Sequence, residues 1–344
     1  MTPKPAGARE GPASRPLVTP ASRGELGPSP QPAGVRGKDF VERWLQYEKH
    51  ELAPHLLLVG RTGSGKTTAT KYFIARALSK YSEIVVLDWD NEYNAVLSTS
   101  YDPPFLISAR AAQVADAVTE IERPEGGGHA TAHYIRKALE EAARANSTSN
   151  LFRAAAEKLR TTLEITSYAM RAALEAAIMR LEEIAPYIEV ERASARAHAG
   201  LRGGTYSLFK IASIWNRSAV RQFLAMFHVV ARRAALVAYE EEPALHDPPD
   251  PSVLVIEEGS VGATTTYLRH LLTEARKAST RVVIVTQGLP DAEVVQNCEV
   301  LLFDTTPSVR RALHAAIPDS RLRVGEAWWV RRDGEAKRID FRMR

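Results

Sequence analysis

The sequence predicts an α/β protein: a mostly parallel sheet with helices on both faces, interrupted by an inserted all-α subdomain. Three observations predict it. The runs "HLLLV" (55–59), "EIVVLD" (83–88), "SVLVIEE" (252–258) and "RVVIVTQ" (281–287) are short and almost wholly apolar. Strands buried on both faces read this way, whereas half-exposed strands alternate. Segments of helical period lie between and beside them, at 67–80, 216–242 and about 264–277, which is the βαβ pattern of a parallel sheet. Between the two βαβ runs, residues 130–200 turn rich in Ala, Glu, Arg and Leu.

Residues 1–37 come first, a stretch of Pro, Gly, Ala, Ser and scattered Arg without periodicity. Such a segment buries too little apolar surface to offset its ordering entropy, so we expect a disordered arm. It is a passive tail or a transient basic contact with DNA. "DFVERWLQYEKH" then places Phe40, Trp44 and Tyr47 on one face of a short helix. The strand at 55–59 leads through a glycine loop into the helix 67–80, striped by Phe73, Ile74, Ala77 and Leu78, and then into the strand 83–88. "PFLIS" (104–108) reads as a third strand, followed by a helix over 109–121.

After "RPEGGG" (123–128) the period changes. Leu159, Leu163, Met170, Leu174, Ile178 and Leu181 recur at helical spacing, so two or three helices should form a bundle. Its surface either packs or meets DNA or a partner. A strand at 205–211 and a long helix at 216–242 follow, the helix stopped by Pro243, Pro248, Pro249 and Pro251. The second βαβ run and a strand at 299–305 complete the pattern. The expected division is therefore 1–37 arm, 38–122 and 205–344 core, and 123–204 helical insertion.

Composition narrows the classes. The 344 residues are 45% hydrophobic and 25% charged, with a net charge of +4. The basic lean permits a nucleic-acid partner without requiring one. Cys298 is the single cysteine, which rules out an intramolecular disulfide and a cysteine-based zinc site. No run reaches the roughly 18 apolar residues of a spanning helix. We expect a cytoplasmic protein, peripheral to any membrane complex it serves through other proteins.

"GRTGSGKT" (60–67) fits G-x-x-x-x-G-K-[ST] in full, between a strand and a helix as the mechanism requires. Gly60, Gly63 and Gly65 permit a tight loop whose backbone N–H groups point inward with the helix N-terminus, a cradle for phosphate. Arg61, Thr62, Ser64 and Thr68 complete the loop. Lys66 would reach the β- and γ-phosphates, and Thr67 would offer its hydroxyl to magnesium. ATP and Mg2+ are the expected cofactors.

Two strands end in acids, "VVLDWD" (85–90) and "VLVIEE" (253–258). Hydrolysis calls for one acid near the metal and a second to polarise water. The adjacent pair Glu257–Glu258 suits both tasks, with Glu257 toward magnesium and Glu258 on water. The commoner first residue is Asp. Glu is one methylene longer and suits contact through a water. Gln287, with Thr286 beside it, ends a later strand where a polar tip would sense the γ-phosphate.

In order along the chain, these pieces resemble the HerA/FtsK superfamily of P-loop ATPases, ring-forming motors that move DNA. "GRTGSGKT" is similar to its phosphate loop, and "LDWDNEY" to the Asp-x-x-x-Glu-Tyr segment of HerA-like members. "VLVIEE" matches the position of the metal-binding strand. "EARKASTRVVIVTQGLPD" (274–291) resembles the run in which Arg-Lys precedes a strand ending Thr-Gln. "VVQNCEVLLF" (294–303) resembles the segment after it, and "LRVGEAWWVRRDG" (322–334) the closing hairpin. A helical insertion between the second strand and the acid strand is also a habit of the group.

The resemblance implies a RecA-like core and a ring of six, acting on DNA in conjugation, type IV secretion or genome packaging. Membrane or capsid proteins would be its partners. It implies Asp88 and Glu92 near the nucleotide and its water. It implies Arg276 as an arginine finger entering the neighbouring subunit's site, with Arg281 as the nearby alternative and a solvated helix end as the plainer reading. HerA proteins carry a β-barrel domain before the core, and only about 50 residues precede it here, so the layout is closer to packaging or conjugation ATPases. Two other classes stay open. A type II secretion or pilus ATPase shares "TGSGKTT" but carries Gly-Glu-Ile-Arg-Asp where this chain has "IEEGSVG". A nucleotide switch or kinase without a DNA role would need a lid and an acceptor site. For DNA, Arg217, Arg221, Arg232, Arg233 and the insertion's arginines are the basic candidates.

Overall fold

The apolar runs become strands, and their order across the sheet decides where a site can form. The computed structural model describes residues 35–46, 54–97, 99–122, 129–145, 150–192, 200–201, 206–212, 217–246, 249–257, 265–304, 306–313, 317–318, 321–331 and 334–342. All of them fall in one unit, Gly34–Arg344.

The chain enters through β1 (Val35–Arg36) and α1 (Gly37–Leu45), then β2 (His55–Val59), α2 (Lys66–Ala77) and β3 (Glu83–Asp88). The expected arm thus ends earlier than residue 37, because β1 pairs with the last strand. Residues 1–34 of that arm lie outside the described residues, as does Tyr47. Next come β4 (Ser100–Tyr101), β5 (Phe105–Ala109) and α3 (Ala111–Glu122). The insertion supplies α4 (His129–Arg144), α5 (Leu151–Glu164), α6 (Tyr168–Ile184), β6 (Ile188–Arg192) and β7 (Gly200–Leu201). The core resumes with β8 (Tyr206–Lys210), α7 (Ser218–Glu241), β9 (Ser252–Glu257), α8 (Thr265–Lys277) and β10 (Thr280–Thr286). It closes with α9 (Ala292–Val295), β11 (Cys298–Leu302), α10 (Pro307–Leu313), β12 (Glu326–Val330) and β13 (Ala336–Asp340).

The main sheet runs β1-β13-β12-β11-β2-β10-β9-β3-β8-β4 among the described residues. From β11 through β4 every pairing is parallel, and the β12–β13 hairpin adds the antiparallel edge. Alternation along these strands feeds two cores. Leu56, Leu58, Val253 and Val255 face one side with α1 and α2, through Phe40, Trp44, Phe73 and Ile74. Leu57, Leu254, Ile256 and Val282 face the other with α3, α7 and α8. Leu56, Leu57 and Leu58 are fully buried, and each contributes about 2 kcal/mol of transfer free energy.

Two expectations change. "PFLIS" does form a strand, but β5 leaves the main sheet for a small one of order β6-β5-β7. The insertion is therefore not all helical: β6 pairs in parallel with β5, and β7 antiparallel to it. The helical part packs as its stripe requires, with Leu159, Leu174, Ile178 and Leu181 buried. Met170 is the exception, half exposed near the turn between α5 and α6. Asn150 ties that bundle together. Its side-chain oxygen accepts from the Phe152 and Arg153 amides, and its amide donates to the carbonyls of Ala185 and Ile188.

Candidate functional site

The loop 60–65 joins β2 to α2 at the C-terminal edge of the parallel strands, where open α/β sheets place their ligands. Gly65 sits at φ 101°, and a side-chain carbon there would lie 2.5 Å from the Gly325 nitrogen. Glycine alone meets both demands. The Gly325 amide donates to the Ser64 carbonyl at 3.2 Å, so the segment opening the final hairpin braces the loop from outside. Arg61 pairs with Asp304 at 3.0 Å on the other flank. No side chain caps the N-terminus of α2, which leaves its first amides without intrahelical partners.

Lys66 is buried and donates to the carbonyls of Gly60 and Arg61. The ammonium thus folds back over its own loop. The Ser64 hydroxyl is buried inside the loop with no hydrogen-bond partner among the described residues. An orphaned hydroxyl, uncapped amides and an ammonium at one point fit a polyphosphate.

Strand order brings the acids to the same edge. β10 separates β2 from β9, and β3 flanks β9 beyond. The Thr286 carbonyl accepts the Gly60 amide at 3.2 Å, which fixes the tip of β10 against the loop. Gln287 follows, exposed. It also lines a cavity of about 960 Å³ with Leu289, Val300, Val309 and Val330, a space that no phosphate-loop residue lines. Glu257 ends β9 in register with the face that carries Val253, Val255 and α2. Thr67, half buried, is in the first turn of α2. Among the described residues no cluster of three or more His, Cys, Asp or Glu side chains could hold a metal alone. Thr67 and Glu257 fit magnesium only as partial ligands beside phosphate oxygens. Glu258 lies outside the described residues.

Glu257 is 5% exposed. Its carboxylate accepts the Trp89 amide at 3.0 Å and the Tyr93 hydroxyl at 3.1 Å. Burial pushes its pKa up to about 7; the Trp89 hydrogen bond opposes this, Asp88 adds to it, the Tyr93 hydrogen bond opposes it and Glu92 adds again. Asp88 is fully buried beside Glu257. One oxygen accepts the Glu92 amide at 3.2 Å and the other the Tyr93 amide at 3.3 Å. Asp88 is engaged in building the turn. Glu92 is exposed at the tip. Burial, with Glu92 and Asp88 nearby, raises Asp90 too.

The arginines divide. Arg276 is exposed at the end of α8, before β10 begins. The seven residues of β10 span roughly 20 Å. Arg276 therefore stands at the opposite edge of the sheet from its own phosphate loop. Among the described residues its guanidinium has neither an ion pair nor a side-chain hydrogen bond. Arg281 is excluded as its alternative: it is buried, donates to the Trp44 carbonyl and lies 4.9 Å over the Trp44 ring. The DNA candidates fare similarly. Arg232 pairs with Glu83 at 3.1 Å, Arg233 with Glu274, and Arg221 is buried over the Trp89 ring at 4.9 Å. Arg217 stays exposed. Sequence reasoning gave no role to Trp89, Asp304 or Gly325. The Trp and Tyr in "DWDNEY" were the available signal that this tip binds something through more than its acids.

Fold and loop together define a P-loop nucleotide-binding protein. The family model "Helicase HerA, central domain" matches residues 49–214. Comparison with curated proteins finds no sequence match. Among solved structures, the bacterial conjugative coupling protein TrwB with sulphate aligns at 17% identity and TM-score 0.55, over 93% of this chain and 90% of that one. TrwB in complex with ADP and Mg2+ aligns at 16% and 0.55 over the same shares, 93% and 90%. VirB4 of Thermoanaerobacter pseudethanolicus aligns at 13% and 0.54, over 88% and 92%. Residues 49–214 thus resemble the central domain of HerA, and the chain as a whole shares the fold of TrwB and VirB4.

Proposed function

We propose that the chain is an ATP-hydrolysing motor that works as a ring and translocates DNA, in a transfer or packaging process. The observation that carries this reading is the strand order β2-β10-β9-β3, which brings the phosphate loop, Gln287 and Glu257 to one sheet edge. TrwB, a similar fold, has been captured with ADP and Mg2+ and is a conjugative coupling protein. That likeness supports the nucleotide and suggests the DNA role.

The residues divide the work. Lys66 exchanges its loop carbonyls for phosphate oxygens, and Ser64 and the first amides of α2 hold the phosphates in place. Bound magnesium supplies charge neutralisation across the phosphates, with Thr67 and Glu257 to hold it. Glu258 accepts a proton from the attacking water, and Gln287 orients against the γ-phosphate. Arg276 is too far from its own loop to act there, so it enters a neighbour's site and offsets charge on the transferring phosphoryl group.

Two measurements test this. ATP turnover is followed with and without duplex DNA across a salt series; stimulation that falls steeply with salt is expected, since neutralised phosphates release counterions. Turnover indifferent to DNA, with no binding at low salt, would sink the translocase reading. Native mass measurement with ATP and DNA reports the ring. Arg276→Ala should be inactive alone and partly rescued in mixed rings with Lys66→Ala subunits; failed rescue in well-formed rings removes the finger. Among the described residues no helix is long and apolar enough to cross a membrane.

A further inference from the structure

The Asp-x-x-x-Glu-Tyr segment is the part of the sequence that the proposed chemistry leaves least explained. Asp88 spends both oxygens on backbone amides, and Glu92 is exposed. The residue the segment delivers is Tyr93, fully buried at the start of a short 3-10 turn. Its amide is held by Asp88, and its hydroxyl donates to Glu257 at 3.1 Å. Its ring lies 5.9 Å from the Lys71 ammonium of α2, and the Thr70 hydroxyl of α2 lies against its phenol oxygen. Thr70 in turn donates to the Lys66 carbonyl. One aromatic side chain therefore touches the acid strand, the tip of β3 and the helix that carries the phosphate loop.

We propose that Tyr93 is a positioning residue that fixes the Glu257 carboxylate for the magnesium of the bound nucleotide, with Asp88 as the post that holds Tyr93. This rests on the reading of Glu257 as the metal-facing acid. The physical reason lies in the length of Glu257. A glutamate has one more rotatable bond than the aspartate commoner at this position, and so more rotamers to lose. At the end of a strand nothing in the backbone selects among them. Here two donors do: the Trp89 amide on one oxygen and the Tyr93 hydroxyl on the other. With both made, the remaining acceptor directions of the carboxylate are fixed toward the α2 side of the sheet before any ligand arrives. Of the two donors, the Tyr93 hydroxyl is the one a side-chain change can remove.

The test follows binding and not turnover. A fluorescent ADP analogue is titrated against the full chain in EDTA and then across a magnesium series. Tyr93→Phe keeps the ring and removes the donor. Its affinity in EDTA should stay within about twofold of the parent, while the magnesium concentration at half effect rises about tenfold, the factor carried by a hydrogen bond to a charged acceptor. In a Glu257→Gln background the same change should add less than about twofold, because the positioned charge is already gone. A magnesium midpoint unmoved by Tyr93→Phe overturns the proposal. So does a shift of equal size with and without Glu257, which marks a merely structural role. Should Tyr93→Phe fail to fold, Asp88→Asn reads the same arrangement through its post: its midpoint should rise about threefold only where Glu257 is present, and an unchanged or Glu257-independent midpoint overturns the proposal. Lys66→Ala separates the underlying reading. Its loss of affinity in EDTA supports the phosphate loop whatever Tyr93 does, and its parental affinity would sink the loop and this proposal together.

Discussion

The two edges of the sheet are built from the same kinds of residues and behave oppositely. At the N-terminal edge, Glu83 opens β3, Ser252 opens β9, and Thr280 and Arg281 open β10. Glu83 pairs with Arg232 at 3.1 Å, and His228 meets Ser252 at 3.2 Å, which meets Thr280 at 2.9 Å. Arg281 is locked under Trp44. Burial pushes His55 down to about 3, and lowers His228 as well. At the C-terminal edge, Asp88 closes β3, Glu257 closes β9 and Gln287 follows β10. There an acid is pushed up to about 7, a loop serine has no partner among the described residues, and a glycine stands at φ 101°. The N-terminal edge is mostly paired within the chain, although Nε and Nη2 of Arg232 and Nε1 of Trp44 are also buried without a hydrogen-bond partner among the described residues; at the C-terminal edge the unmet groups gather around the phosphate loop.

Substitutions that cross the two edges sharpen this contrast. The largest effect belongs to Lys66→Ala, which should lower ATP turnover by about a hundredfold or more, by the measure of a lost charge-stabilising donor, while thermal melting of the apo protein changes little. At the other edge Arg281→Ala should do the reverse. It removes a buried cation from Trp44, Tyr81 and a backbone carbonyl, at roughly 3 kcal/mol of stability read by denaturant unfolding. Equal sensitivity of folding at both residues would break the comparison.

Glu257 provides the next test, through pH. Its native pKa near 7 stands above the usual 4.5, so the folded state holds the proton more tightly than the unfolded chain. Stability therefore falls as pH rises from 4.5 to 7, and the penalty is fully present above 7, up to about 3 kcal/mol. Glu257→Gln should raise the apo melting temperature at pH 8 by a few degrees, with less change at pH 5, while weakening the magnesium effect on nucleotide binding. A fall in melting temperature at pH 8 would show that this acid is a structural one after all. The smallest effect is expected at Arg276→Ala, exposed and unpaired among the described residues: stability should stay within about 0.5 kcal/mol. A larger loss would place Arg276 among the paired groups of the N-terminal edge and argue against a role in trans.

Much of this was legible beforehand, in an uneven way. The strands at 55–59, 83–88, 252–257 and 280–286 are unbroken apolar runs, and apolar runs bounded by charges report burial directly. The phosphate loop was legible because its glycines, lysine and threonine act at fixed spacing on one short segment. The pattern of β5 marks it as a strand but not as the seed of a second sheet, since a strand's own pattern does not name its partner. Met170 shares the spacing of the buried stripe and yet is 48% exposed, in the first turn of α6, where the Tyr134 hydroxyl of α4 meets its sulfur at 2.9 Å without covering it. Arg276 ends a helix and Arg281 opens an apolar strand run, but neither pattern says that Trp44, from a distant helix, covers Arg281.

The sequence alone determined the α/β class, the phosphate loop with Lys66 and Thr67, and the acid strand ending in Glu257. These depend on contacts within a few residues or on the burial of a whole run. Tertiary structure alone decided that Asp88 serves the backbone and that Tyr93 reaches Glu257 across 164 positions of chain. It also decided that Arg276 faces away from its own site. Those outcomes follow from which strands lie side by side and which edge each residue reaches, and side-chain hydrogen bonds over such separations have no period for a sequence to display.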